Sequence, residues 1–224
     1  MKHYRSSIPK EARERVVAMS PVSRRRQKVE CTLNGKVVGV RTFHVTGELE
    51  DEFPLRNGVT HGIVYRSVTP GKLLSAEPYS NGLAHGTARQ WSDDGKLIGT
   101  YTMKRGTGID LWRQVNEAGQ VYLSEARYYR DGKLDGFEWW LNRDQKNVHE
   151  ESHFRGDRRH GIFRQWNLQG RLRRGYPQYF VNGERVTKRR YVRECAKDPT
   201  LPPFREEDNR PQRIFPRDLA IKQK

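Results

Sequence analysis

A glycine-anchored turn recurs about every 25 residues through most of the chain, and it limits the possible architectures more than any other feature. It reads Asn34-Gly35-Lys36-Val37-Val38-Gly39, then NGVTHG from Asn57, NGLAHG from Asn81, RGTGID from Arg105, DGKLDG from Asp131, GDRRHG from Gly156 and NGERVT from Asn182. A period of that size marks a repeat architecture. Asn and Gly tolerate the positive φ that two-residue hairpin turns require. After the second glycine position come GTARQW, DLWRQV, GFEWWL and GIFRQW, beginning at Gly86, Asp110, Gly136 and Gly161. Short aromatic and β-branched runs of this kind form strands. Polar turns follow them: SDDG ending at Gly95, NEAG at Gly119, NRDQ at Gln145 and NLQG at Gly170. Each unit therefore reads strand, turn, strand, turn, and seven units fit between about residues 27 and 195.

The pattern resembles the MORN family, in particular its bacterial variant, whose repeat runs roughly Y-x-N-G-K-x-H-G-x-W-x-x-Y-x-x-x-G. Asn81-Gly82-Leu83-Ala84-His85-Gly86 with Trp91 and Gly95 is the nearest copy, and Gly161 to Trp166 with Gly170 is almost as good. Asp110 and Thr187 depart from the pattern, since glycine is expected there, and Gly156-Asp157 inverts the usual order. The resemblance covers about three quarters of the chain. It implies an all-β, elongated, twisted sheet of about seven antiparallel hairpins, protein binding, and a role like that of antitoxin relatives in toxin–antitoxin systems.

Composition agrees with a thin repeat. Only 34% of the residues are apolar, fewer than a single-core domain of this length usually needs. A repeat array buries only a thin layer between neighbours. The recurring Trp, Tyr and Phe positions oppose disorder. With 43 Lys and Arg against 27 Asp and Glu, the formal charge is +16, a statement about partners and solubility rather than fold. No apolar run approaches the roughly 18 residues of a membrane span, and MKHYRSSIPKEARERVV lacks the apolar core of a secretory signal. Cys31 and Cys195 fall in the first and last units, too far apart to be bridged in such an array. Reduced thiols and a cytoplasmic location are expected.

The ends read differently. Ser7 and Pro9 suggest a short N-terminal helix over Pro9 to Met19, so residues 1–26 form a helix and basic linker that cap the 27–195 repeat domain. Residues 196–224 hold five prolines and read as an irregular, extended tail that either folds back over the last hairpin or acts as a tether.

The sharpest catalytic candidate is His149-Glu150-Glu151-Ser152-His153, a formal H-E-x-x-H match. That motif binds zinc only on a helix, where both histidines share a face one turn apart. The repeat register places the segment on a strand, where residues four apart lie roughly 13 Å from each other. His61, His85 and His160 all precede the second glycine position and read as turn residues. No nucleophile motif, phosphate loop or assignable carboxylate pair is present. The expectation is no catalytic residue, metal ligand, cofactor or small-molecule substrate.

What remains is a surface. Period-2 alternation on the strand after each second glycine position aligns Tyr65, Arg89, Arg113, Trp139 and Arg164 in one column, with Trp91 and Trp166 on the same face. Rows of Arg and aromatic residues are the material of binding hot spots. A protein partner is expected there. The alternatives are nucleic acid, met by phosphate contacts and base stacking, and an anionic membrane surface. Trp112, Glu138, Trp140 and Gln165 fall on the opposite face.

Overall fold

The repeated turns close two-residue hairpins because both central residues sit in the left-handed region. Asn34 and Gly35 have φ of 49° and 74°, Asn81 and Gly82 of 51° and 82°, and Asn182 and Gly183 of 50° and 88°. Asn57-Gly58, Arg105-Gly106 and Asp131-Gly132 follow suit. The inverted pair Gly156-Asp157 keeps the geometry, at 55° and 68°, since aspartate is among the residues that accept this region.

The computed structural model describes residues 3–67 and 70–213, and the chain divides into two units, Met1–Gly106 and Thr107–Lys224. The first holds β1 (Arg13–Met19), β2 (Arg26–Leu33), β3 (Lys36–Phe43), β4 (Leu49–Arg56), β5 (Val59–Thr60), β6 (Gly62–Arg66), β7 (Ser75–Ser80), β8 (Leu83–Ala84), β9 (Gly86–Trp91) and β10 (Leu97–Lys104). Successive strands pair antiparallel, with the short β5 and β8 completing the hairpin tips at β4 and β7. The second unit holds β11 (Thr107–Val115), β12 (Val121–Arg130), β13 (Lys133–Leu141), β14 (Val148–Arg155), β15 (Arg158–Arg159), β16 (Gly161–Gln165), β17 (Gln178–Val181) and β18 (Glu184–Val186), again antiparallel. The expected all-β hairpin architecture is what forms.

The N-terminal helix does not form. Arg13–Met19 is strand β1, paired with β2. Val16 and Val17 favour an extended chain, and the pairing gives Glu14 and Arg15 cross-strand partners: Arg26 and Arg41 for Glu14, Glu30 for Arg15. Ser7, expected to cap the helix, instead accepts the backbone N–H of Ile63 at 3.1 Å. Ile8 enters a core with Val29, Cys31 and Phe43.

The one α-helix among the described residues lies at the other end, α1 (Lys188–Cys195), inside the span expected to be all hairpin. Thr187, one of the two departures from glycine, is its N-cap and accepts the Arg190 N–H. A threonine in extended geometry is a good N-cap because its hydroxyl accepts one of the free N–H groups of the first turn. Tyr191 is fully buried against Ile162, Tyr179 and Leu201. The tail folds back: Tyr191 Oη donates to the Pro202 carbonyl at 2.6 Å. Beyond residue 213 the tail lies outside the described residues. At the other departure, Gly108 takes the positive φ two residues early and Asp110 simply continues β11.

Candidate interaction faces of the hairpin units

Strand register converts the sequence columns into transverse rows. In the first unit Arg41, Glu52, Tyr65, Ala76, Arg89 and Thr100 face one another across β3, β4, β6, β7, β9 and β10. In the second, Leu111, Ala126, Trp139, Glu151 and Arg164 do so across β11, β12, β13, β14 and β16. Every member of the second row is buried.

Five of the seven residues assigned to a partner face are therefore interior. Tyr65 is 4% exposed, and residues 4–6 lie over it: its hydroxyl donates to the Arg5 carbonyl at 2.9 Å, and the Tyr4 ring meets its ring edge-on at 4.9 Å. Trp91 is buried and stacks on His3 at 5.3 Å. Trp139 is buried with its indole N–H on Glu151 Oε2 at 2.9 Å. Trp166 is buried and donates to the Asn209 carbonyl at 2.7 Å. Arg164 is buried in an ion pair with Glu151 at 2.6 Å. Arg89 is exposed. A register shift between Trp112 and Arg113 pairs Arg113 with Leu123 and leaves Leu111 in the row with Trp139. Arg113 is half-buried, and burial pushes its pKa down. In each unit the chain's own end segments cover much of the face drawn from the sequence.

Each cover is held by a buried glutamate, and the two sit at equivalent places, ten residues before Gly62 and Gly161. Glu52 accepts Tyr4 Oη at 2.5 Å, Ser6 Oγ at 2.9 Å and Arg41 Nε at 2.8 Å. Burial first, then the bond to Glu52, pushes the Tyr4 pKa up to about 12. Glu151 accepts Trp139 Nε1, Arg164 Nη1, and Arg213 Nε and Nη2 at 2.8 and 3.1 Å. Burial opposes its ionisation, but Arg213 and Arg164 outweigh it and hold its pKa below the ordinary carboxylate value. Glu52 carries no sequence signal of its own and Glu151 enters only as an interior member of the H-E-x-x-H match, although their shared offset from the second glycine position is visible in the sequence.

The H-E-x-x-H segment lies on β14, as its register required. His149 is exposed beside Trp140, and His153 Nδ1 meets the His160 carbonyl oxygen at 2.5 Å. The described residues contain no group of three or more His, Cys, Asp or Glu arranged to hold a metal ion. The repeat histidines fasten consecutive hairpins. Nδ1 of His61, His85 and His160 accepts the turn N–H of Asn81, Arg105 and Asn182 at 3.3, 3.1 and 3.1 Å. Cys31 and Cys195 are free thiols. No helix among the described residues is long and apolar enough to cross a membrane.

The opposite face of the second unit is built otherwise. Trp112, Glu125, Trp140, Glu150 and Gln165 form a row across β11, β12, β13, β14 and β16. Beside it run Asp110, Arg127, Glu138 and Ser152. Trp140 is 37% exposed, whereas Trp91, Trp139 and Trp166 are buried. Its neighbour in the row, Trp112, stands two strand spacings away, roughly 10 Å. The Trp112 indole N–H donates to Asp110 Oδ2 at 3.1 Å. Arg127 bonds Glu125 and lies 3.4 Å from Glu138. Burial pushes the pKa of Glu125 and of Glu138 up, against the pull of Arg127. Gln165 donates to Glu150 at 2.7 Å. Four carboxylates, set against Arg127 and the Arg159 guanidinium that acts on Glu138, thus make an acidic, tryptophan-bearing face on a strongly basic chain. Alternation had placed Trp112, Glu138, Trp140 and Gln165 together on this side, but it could not say which side would stay uncovered.

No protein-family model matches the chain, and no curated protein matches it significantly.

Proposed function

We propose that the chain is a non-enzymatic, cytoplasmic repeat protein of the MORN-variant type, with seven hairpin units, that binds a partner protein. The observation that carries this reading is the row of Trp112, Glu125, Trp140, Glu150 and Gln165, in which Trp140 is exposed, Trp112, Glu150 and Gln165 are half-buried and Glu125 is buried. An exposed tryptophan ringed by partly buried polar groups has the make-up of an interface hot spot. Its carboxylates favour a partner that presents Arg or Lys, whose cations the indole faces also attract. The same carboxylates repel nucleic acid and anionic lipid, so the basic charge of the chain does not act here. Nor is that charge gathered in one half: residues 1–106 hold 18 basic against 10 acidic residues, and residues 107–224 hold 25 against 17. Dispersed charge of this kind serves solubility. An antitoxin-like role rests on the family resemblance alone.

The test is affinity capture from native extract with wild type, Trp140→Ala and Arg89→Ala, each with and without nuclease. The expected result is a stoichiometric protein that survives nuclease, is lost with Trp140→Ala and is kept with Arg89→Ala. Capture abolished by nuclease, or unchanged by Trp140→Ala, refutes the reading.

A further inference from the structure

Under the C-terminal strap of the second unit lies a cleft of about 470 Å³, within the range of small-molecule sites. Its walls include Phe137, Trp139, Arg164, Leu201, Arg205 and Arg213. Phe137 and Trp139 stack at 5.1 Å with their planes 22° apart, and with Leu201 they give the cleft an apolar side.

The polar side is centred on Arg164. The Arg164 side chain is 4% exposed. Its Nε donates to Asn209 Oδ1 at 3.3 Å and its Nη1 to Glu151 Oε1 at 2.6 Å. Its buried Nη2 has no hydrogen-bond partner among the described residues. A guanidinium stays charged and has no acceptor capacity, so nothing but an acceptor can satisfy that nitrogen. Glu151 is not free to do so. Arg164 Nη1 and Arg213 Nη2 occupy its Oε1, while Trp139 Nε1 and Arg213 Nε occupy its Oε2. Arg164, Arg205 and Arg213 stand against Glu151 and Asp208 in the lining, an excess of one positive charge.

We propose that this cleft binds a small organic carboxylate with a flat apolar body. The carboxylate takes up Arg164 Nη2 and the exposed Arg205, because a planar guanidinium matches a carboxylate in geometry as well as in charge. The apolar body lies along Phe137 and Trp139. This site is separate from the proposed partner face, which lies on the opposite side of the same strands, so each stands or falls without the other.

The experiment is calorimetric titration of the full-length protein with 2-naphthoate and with 2-naphthylmethanol, a neutral compound of similar shape. In parallel, the indole N–H resonance of Trp139 is followed by NMR. Arg164→Lys keeps a cation beside Glu151 but removes the Nη2 donor. Arg205→Ala alters an exposed residue and leaves the buried pair intact, so it remains informative if Arg164→Lys fails to fold. The expected result is one-to-one binding of 2-naphthoate, a shifted Trp139 resonance, affinity lowered at least tenfold by either substitution, and no binding of the alcohol. The proposal is overturned if wild type shows no saturable binding at millimolar 2-naphthoate, if Arg205→Ala binds as tightly as wild type, or if the alcohol binds equally well.

Discussion

Replacing Glu151 by glutamine keeps the shape of the side chain and removes one charge from the centre of the second unit. In the wild type that carboxylate receives four hydrogen bonds, from Trp139 Nε1, Arg164 Nη1, and Arg213 Nε and Nη2. Side-chain exposure is 2% for Glu151, 4% for Arg164 and 10% for Arg213. Removing one partner of a buried pair leaves the other charge without compensation and costs about 3–5 kcal/mol. Two guanidiniums lose their counter-charge here, while the indole bond survives on the amide oxygen, so a loss of about 4 kcal/mol is expected. Against total stabilities of about 5–15 kcal/mol, that is a large share. A chain of two units need not unfold in one transition, so the assay is amide hydrogen exchange in β13, β14 and β16, read unit by unit. Tryptic cleavage at the exposed Arg205 should accelerate as the strap loosens. The pH dependence has a definite sign. The folded pKa of Glu151 is depressed, so its contribution is present above its unfolded value of 4.5 and is lost as pH falls through the folded one. The gap between wild type and Glu151→Gln should therefore close in acid. A loss under about 1 kcal/mol, the size expected for an exposed ion pair, or a gap that stays constant with pH, would refute the reasoning.

Tyr4→Phe removes one of the bonds to buried Glu52 and should destabilise the first unit by about 2 kcal/mol, measured by exchange in β4 and β6. In the wild type, ultraviolet titration should find one tyrosine ionising near pH 12. A Cβ at Gly161 would stand 2.5 Å from the Cβ of His153, at a φ of +151°; Gly161→Ala should therefore cost about 2 kcal/mol or more in thermal unfolding. Burial depresses the pKa of His160, although Asp198 opposes this, and its Nδ1 accepts the Asn182 N–H. Its contribution to stability should thus be whole above about pH 6.5 and fall as the pH drops, whereas His160→Asn should lose that dependence in denaturant melts at pH 8 and 5.5.

The sequence by itself determined the hairpins. A turn that needs two consecutive residues at positive φ admits few residue types, so Asn-Gly and Asp-Gly announce it locally. The same local logic put His149 to His153 on a strand and so separated the two histidines of the motif. It also flagged Thr187, although not that the missing glycine would become the cap of α1. Tertiary structure decided the rest. Arg13–Met19 has local signals for a helix and becomes a strand because β2 offers it a paired edge and partners for Glu14 and Arg15. One bulge at Trp112 and Arg113 breaks a column that counting from the glycines kept intact. Alternation says which residues share a side of a sheet, but it is symmetric with respect to the two sides. Residues 4–6 and the strap ending at Arg213 break that symmetry, 48 and 62 positions in sequence from the glutamates they reach. Contacts at such separation leave no periodic trace in the chain, so the burial of Tyr65, Trp139 and Arg164, and the exposure of Trp140, could come only from the fold.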